Sequence, residues 1–231
     1  MIELTDVRFG YGSGGDCLDI AELRVAAGEA VFLHGPSGCG KSTLLSLMAG
    51  VLVARSGSVR VAGEDWTRLA GARRDAFRAD HVGYLFQQFN LLPYLSAVDN
   101  VLLGCRFSRR REMRAAARDG STAASAERLL ERVGIAAPAR ARPARGLSVG
   151  QQQRVAAARA LVGQPEVLIA DEPTSALDAA VRDGFVDLLL AECRAAGGTL
   201  VFVSHDRQLP QRFDRVLSLP SINRAAAAVA A

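Results

Sequence analysis

Nine consecutive residues constrain this chain more than any other feature. Gly35-Pro36-Ser37-Gly38-Cys39-Gly40-Lys41-Ser42-Thr43 fits the pattern G-x-x-x-x-G-K-[S/T]. The pattern needs an apolar strand before it and a helix after it, and both are present. Glu29–Leu33 is a short apolar run, and Ser42–Met48 has helical apolar spacing closed by Gly50. In that setting the glycines let backbone N–H groups converge on a phosphate with no Cβ in the way, and the helix beginning at Lys41 adds the positive end of its dipole. Lys41 is expected to bridge the β- and γ-phosphates of a nucleotide, and the Ser42 hydroxyl to ligate Mg²⁺. The loop alone does not separate kinases, GTPases, helicases and transport ATPases.

Composition points to the same position. Of the 28 basic residues, 27 are arginine and a single one, Lys41, is lysine. The ratio reads as a genome-level bias toward arginine codons, with one position that escaped it. A wide planar guanidinium cannot replace a compact ammonium where a narrow loop must deliver a point charge. Cys39 lies in the same loop, among N–H dipoles and beside that ammonium, surroundings in which a thiol becomes reactive. As structure alone it is merely a small side chain.

The rest of the chain alternates between strand and helix patterns. Ser58–Val61, His81–Phe86, Val167–Ala170 and Thr199–Ser204 read as strands. Ala124–Val133, Gln151–Val162 and Ala179–Ala196 read as helices, the last stopped by Gly197 and Gly198. Uninterrupted apolar strands separated by helices predict a parallel sheet covered on both faces. The order fits a nucleotide-binding α/β core in residues 1–89 and 147–231, with an α-helical portion at about 90–146. The run Arg106–Arg118 (RFSRRREMRAAAR) reads first as a solvated face, with lipid head groups or an acidic partner as the alternative. The alanine-rich tail from Ala225 is given no function.

Two further motifs carry chemistry. Val167-Leu168-Ile169-Ala170-Asp171-Glu172 places two acids at the carboxyl end of a buried strand, where such sheets bind ligands. Asp171 would hold the Mg²⁺ shell, and Glu172 could polarise a water attacking the γ-phosphate. Ser148 and Gln151 have the S-x-x-Q spacing of a capping box at the start of the Gln151–Val162 helix. A helix start is also an anion site, and one phosphate loop already serves this chain's nucleotide. A second anion site suggests a second nucleotide, and hence a second copy of the protein facing the first.

Together these motifs resemble the ATP-binding subunit of ABC transporters, over nearly the whole chain. The phosphate loop, Gln87 after a strand, LSVGQ beginning 24 residues before Asp171, IADEP, SALD and the isolated His205 stand in that family's order. The resemblance implies an α/β P-loop NTPase core with a mostly parallel sheet, an N-terminal antiparallel β portion and an α-helical subdomain, in a single ATP-binding domain of residues 1–231. It implies ATP and Mg²⁺, and a homodimer that closes when ATP binds. Gln87 would reach Mg²⁺ and sense the γ-phosphate, His205 would contact the γ-phosphate, and Tyr11 would stack on adenine, although Tyr11 and its neighbour Phe9 could equally be core. Ser148, Gly150, Gln151 and Asp178 would face nucleotide in the dimer. Val149 departs from the glycine the family most often has, which puts the turnover rate in doubt.

Phe86–Ser96 (FQQFNLLPYLS) is similar to the subgroup of lipoprotein-release, macrolide-export and cell-division ATPases. By that resemblance Gln87–Leu95 meets a membrane permease, with Phe89, Leu91, Leu92 and Tyr94 forming the groove; each could instead be buried within the helical portion. The alternative function is a signalling or mechanical module at the envelope that moves no substrate. Composition fits a soluble subunit: 49% hydrophobic and 23% charged residues, a net charge of +4, and no apolar stretch near the roughly 18 residues a span needs. The four cysteines are scattered, which argues against zinc. The expected place is cytoplasmic, peripheral on the inner face of the bacterial cell membrane, with no nucleic-acid partner.

Overall fold

The computed structural model describes residues 1–12, 14–175, 177, 179–206 and 208–225, with 179 and 180 as backbone only. Its strands are β1 (Ile2–Phe9), β2 (Leu18–Val25), β3 (Ala30–His34), β4 (Ser56–Val61), β5 (Glu64–Asp65), β6 (Val82–Leu85), β7 (Val167–Asp171), β8 (Thr199–Val203) and β9 (Arg215–Ser218). Its helices are α1 (Lys41–Met48), α2 (Gly71–His81), α3 (Ala97–Arg106), α4 (Arg109–Asp119), α5 (Thr122–Arg132), α6 (Ala137–Arg140), α7 (Val149–Leu161), α8 (Ala179–Ala195) and α9 (Leu219–Ile222). Strands β2-β1-β4-β5 form an antiparallel sheet, and β6-β7-β8-β3-β9 a wholly parallel one.

Strands β3, β7 and β8 are apolar along most of their length because each supplies both of its faces to a core, whereas edge strand β9 buries no residue. Phe32, Leu168, Ala170, Leu200 and Phe202 point into one cluster, shared with α3, α5, α7 and α8. Their sequence neighbours Val31, Leu33, Val167, Ile169, Val201 and Val203 point into the other, shared with α1 and the antiparallel sheet. The register aligns Asp171 with Val203 and Val203 with Leu33, while Leu85 aligns with Ala170. The loops after β6, β7, β8 and β3 therefore leave the carboxyl end of the sheet side by side.

Two sequence expectations shift. His81 belongs to α2, and the strand that follows is only Val82–Leu85. Helix α2 has no buried residue and hence no apolar stripe to betray it. The basic run is not simply a solvated face. Arg111 is buried and donates from Nε to the Val162 carbonyl at 2.8 Å and from Nη2 to that of Ala160 at 2.9 Å, closing the C-terminal end of α7. Arg110 and Arg114 reach Glu166 at 2.6 and 2.7 Å, with His81 Nδ1 3.1 Å from its other oxygen. Among the described residues no helix is long and apolar enough to cross a membrane.

Candidate active site

The phosphate loop leaves β3 at His34 and enters α1 at Lys41. Gly38 and Gly40 sit at φ 78° and 100°, where a side chain would strain the backbone. Gly35 is demanded by packing: a Cβ there would stand 2.7 Å from Cys39 Sγ and 3.0 Å from Pro220 Cδ. Gly40 N-caps α1 with no side chain accepting from the first turn, leaving those N–H groups to a ligand. Lys41, 7% exposed, donates from Nζ to the carbonyls of Gly35 and Pro36, both at 2.9 Å. Its ammonium is thus folded over the loop's mouth.

The two acids emerge at the end of β7. Asp171 accepts hydrogen bonds from the Ser42 hydroxyl and from Tyr84, which arrives on neighbouring β6. Burial pushes the Asp171 carboxyl up, aided by the charge of Glu172 and opposed by the Ser42 and Tyr84 bonds and the Lys41 ammonium. Glu172 has φ 45° and donates its N–H to the Val203 carbonyl at 3.0 Å. Its Oε1 lies 2.7 Å from Nε2 of His205, which follows β8. His205 and Asp206 also line an open cavity of about 620 Å³ beside Gly35 and Pro36. Arg182 on α8 pairs with Asp206 and bonds Gln208 at 3.0 Å, fixing the loop after β8.

The structure brings together Lys41, Ser42, Asp171, Glu172 and His205, five residues the sequence nominated. Tyr11, 60% exposed, packs edge-on to Phe9, and its hydroxyl is 3.2 Å from Thr43 Oγ1, which sets the ring beside the loop. Gln87 is exposed two residues beyond β6. Ser148 and Gln151 form both bonds of the capping box. Among the described residues no hydrogen bond or ion pair joins Ser148, Gly150 or Gln151 to residues 35–43; the Cβ position of Gly150 instead faces Leu177 at 3.8 Å. Asp178 lies outside the described residues. Phe89, Leu91 and Leu92 are half-buried, whereas Tyr94 is exposed.

Tyr84, Gln153 and Arg55 had no sequence signal. Arg55 reaches from beyond α1 to the carbonyls of Gly12 and Gly14 and to Asp16, holding the Tyr11 loop. The Ser42 hydroxyl and Asp171 carboxylate, hydrogen-bonded to each other, are an oxygen-only donor pair that suits Mg²⁺ completed by phosphate oxygens and water.

The sequence profile of the ABC transporter family matches residues 18–175. The chain belongs to that family. It is an ATP-binding, ATP-hydrolysing cassette. It is 42% identical over 222 residues to the ABC transporter ATP-binding protein YbbA of Escherichia coli (strain K12), covering 95% of this chain and 94% of YbbA. It is 40% identical over 222 residues to the lipoprotein-releasing system ATP-binding protein LolD of Geobacter metallireducens, covering 95% of each. Among solved structures, the dimeric post-hydrolysis state of the cassette MJ0796 bound to ADP and Pi superposes with a TM-score of 0.84 at 33% identity, covering 94% of each chain. The ABC ATPase fold is thus common to this chain and MJ0796.

Proposed function

We propose that the chain, as a single domain of residues 1–231 with a helical portion at about 90–146, is the ATP-hydrolysing subunit of a transporter whose membrane-spanning part is another chain. Two copies close around two ATP molecules. The observation that carries this is the separation of the two anion-binding helix starts. Among the described residues the Ser148 side chain at the N-terminus of α7 bonds within its own capping box and not to the phosphate loop of its chain, which leaves this end to meet the nucleotide of a second copy. The dimeric MJ0796 cassette supports the same arrangement.

Within one site, the N–H groups of residues 35–43 hold the phosphates and Lys41 swings from the Gly35 and Pro36 carbonyls onto the β- and γ-phosphates. Tyr11 stacks on adenine. Ser42, Asp171 and Gln87 would hold Mg²⁺, which when bound neutralises phosphate charge. Glu172 orients the attacking water and draws on its proton, while His205, 2.7 Å from Glu172, contacts the γ-phosphate. Ser148, Gly150 and Gln151 from the second copy close the site, with Asp178 nearby. Gln87–Leu95, where Tyr94 is exposed, meets the permease, so the chain works peripherally on the inner face of the bacterial cell membrane, with no nucleic acid involved. Similarity to LolD makes an envelope transporter the best-supported setting.

The deciding experiment is affinity purification of the chain from native membranes in mild detergent with ATP. A stoichiometric integral membrane partner, lost when Tyr94 and Leu92 are both changed to Ser, supports the reading. Recovery of the chain alone, with no membrane protein, overturns it.

A further inference from the structure

The segment that follows Gln87 is held by a residue far away in sequence. After β6 the chain turns through Phe89 and Asn90, both at left-handed φ values of 60° and 50° although neither is glycine. Such backbone persists only where its surroundings over-determine it. The turn has its own bonds, Phe89 N–H to the Phe86 carbonyl at 3.0 Å and Asn90 N–H to that of Gln88 at 2.6 Å. Its two outward carbonyls are taken by one side chain. Arg159 donates from Nη2 to the Phe89 carbonyl at 2.5 Å and from Nη1 to that of Asn90 at 2.6 Å. Among the described residues it pairs with no carboxylate, so the planar fork is spent on these two carbonyls, a geometry lysine cannot copy.

Arg159 is on α7, eleven residues after the Ser148 cap. The same helix makes a second, similar link. Fully buried Gln153 donates to the carbonyl of Pro173, the residue after Glu172. Helix α7 therefore begins at the anion site that faces a second copy and grips, further along, the loops that carry Gln87 and Glu172 of its own chain.

We propose that Arg159 is a positioning residue for Gln87, and that through it α7 couples the nucleotide seen by Ser148 to the nucleotide seen by Gln87. The coupling rests on the dimeric reading given above; the hold on the turn does not. When the second copy's nucleotide engages the start of α7, the displacement of the helix is passed by the guanidinium to the turn and so to Gln87. Without the fork the turn relaxes, and Gln87 loses its register with the site.

The test uses the full chain with Arg159→Gln and Arg159→Lys. Hydrogen exchange is measured over residues 86–92 and along α7, together with binding of a fluorescent ATP analogue and ATPase rate against ATP concentration. For Arg159→Gln we expect exchange at 88–91 to quicken about tenfold while α7 keeps its protection. Analogue binding should stay within about twofold, kcat should fall about ten- to a hundredfold, and the Hill coefficient should drop toward 1. Arg159→Lys should fall between the two. Quicker exchange with wild-type kinetics, slower kinetics with unchanged exchange, or loss of protection along α7 each overturns the proposal, the last because it would make Arg159 only a packing residue. A wild-type Hill coefficient of 1 would instead remove the dimeric reading and leave the exchange result to stand or fall alone.

Discussion

Glu172 Oε1 and His205 Nε2 lie 2.7 Å apart, carried by loops that leave adjacent strands of the parallel sheet. The Glu172 N–H bonds the Val203 carbonyl, so the sheet sets the backbone position from which its carboxylate reaches the imidazole. The two side chains are expected to act as a unit. Glu172→Gln should lower kcat about a hundredfold or more while ATP still binds, and should run as an ATP-dependent dimer on size exclusion. His205→Ala should also lower kcat, and the double variant should lose little more than the worse single one. Additive losses, or wild-type turnover in Glu172→Gln, would refute the assignment.

Lys41 is held between two backbone carbonyls in a nearly closed loop, a place for a point charge. Lys41→Arg should therefore lose most ATPase activity, about tenfold or more, with little change in melting temperature. Activity within about twofold of wild type would show that the only lysine of the chain is an accident of codon usage.

Cys39 is half-buried, with its sulfur turned toward Gly35 inside the phosphate loop. A maleimide is expected to inactivate the ATPase, Mg-ATP to protect, and Cys39→Ser to abolish the sensitivity. Cys105 and Cys193 are the silent controls: both are buried, and burial pushes their thiols up, that of Cys193 to about 11. Cys17 is a poorer control than its sequence position implies. Its carbonyl lies 3.5 Å from the Cβ position of Gly40, so Cys17→Ser must be run in parallel. Inactivation of Cys39→Ser at the wild-type rate would place the reactive thiol elsewhere.

Glu166 anchors the back of the parallel sheet to α2 and α4. Burial alone would raise its carboxyl, but hydrogen bonds from His81, Arg110 and Arg114 overcome that and hold it well below the usual carboxylate range. A depressed folded value means the stabilisation is complete above the unfolded carboxylate pKa of about 4.3 and is lost as pH falls from there toward the folded value. Glu166→Gln should cost about 2 kcal/mol at pH 7. The gap between its melting temperature and that of wild type should hold from about pH 6 to 8 and shrink below about pH 4. A gap that widens in acid would reverse the sign of this account.

Most of the candidate site could be nominated from the sequence because each motif is local. The phosphate loop, the acids after β7 and the Ser148 capping box are read within a few residues, and strand–turn–helix context places them. The residues that hold those motifs were not legible. Arg159 bonds carbonyls 69 and 70 residues away, and Arg111 one 51 residues away. Nothing local marks such pairs, and an arginine-rich composition hides them among many exposed guanidinia. Helix α2 escaped for the opposite reason: a polar helix that buries no residue carries no period to find.

Helix α7, which carries Ser148 at one end and Arg159 near the other, packs at that second end on Gly83 of β6. A Cβ there would stand 2.2 Å from the Ala160 carbonyl oxygen, so strand and helix touch backbone to backbone near the end of α7. That contact acts as a pivot. From it the helix extends twelve residues back to Ser148, an arm of about 18 Å at 1.5 Å per residue. A turn of about 10° around the pivot sweeps the Ser148 end through about 3 Å, a hydrogen bond's length, while at Ala160 the helix only rotates, a rotation that the long Arg159 side chain one residue away carries to the Phe89 and Asn90 carbonyls. Any side chain at position 83 would pry this contact apart, and the arm would lose the fixed centre about which it could turn.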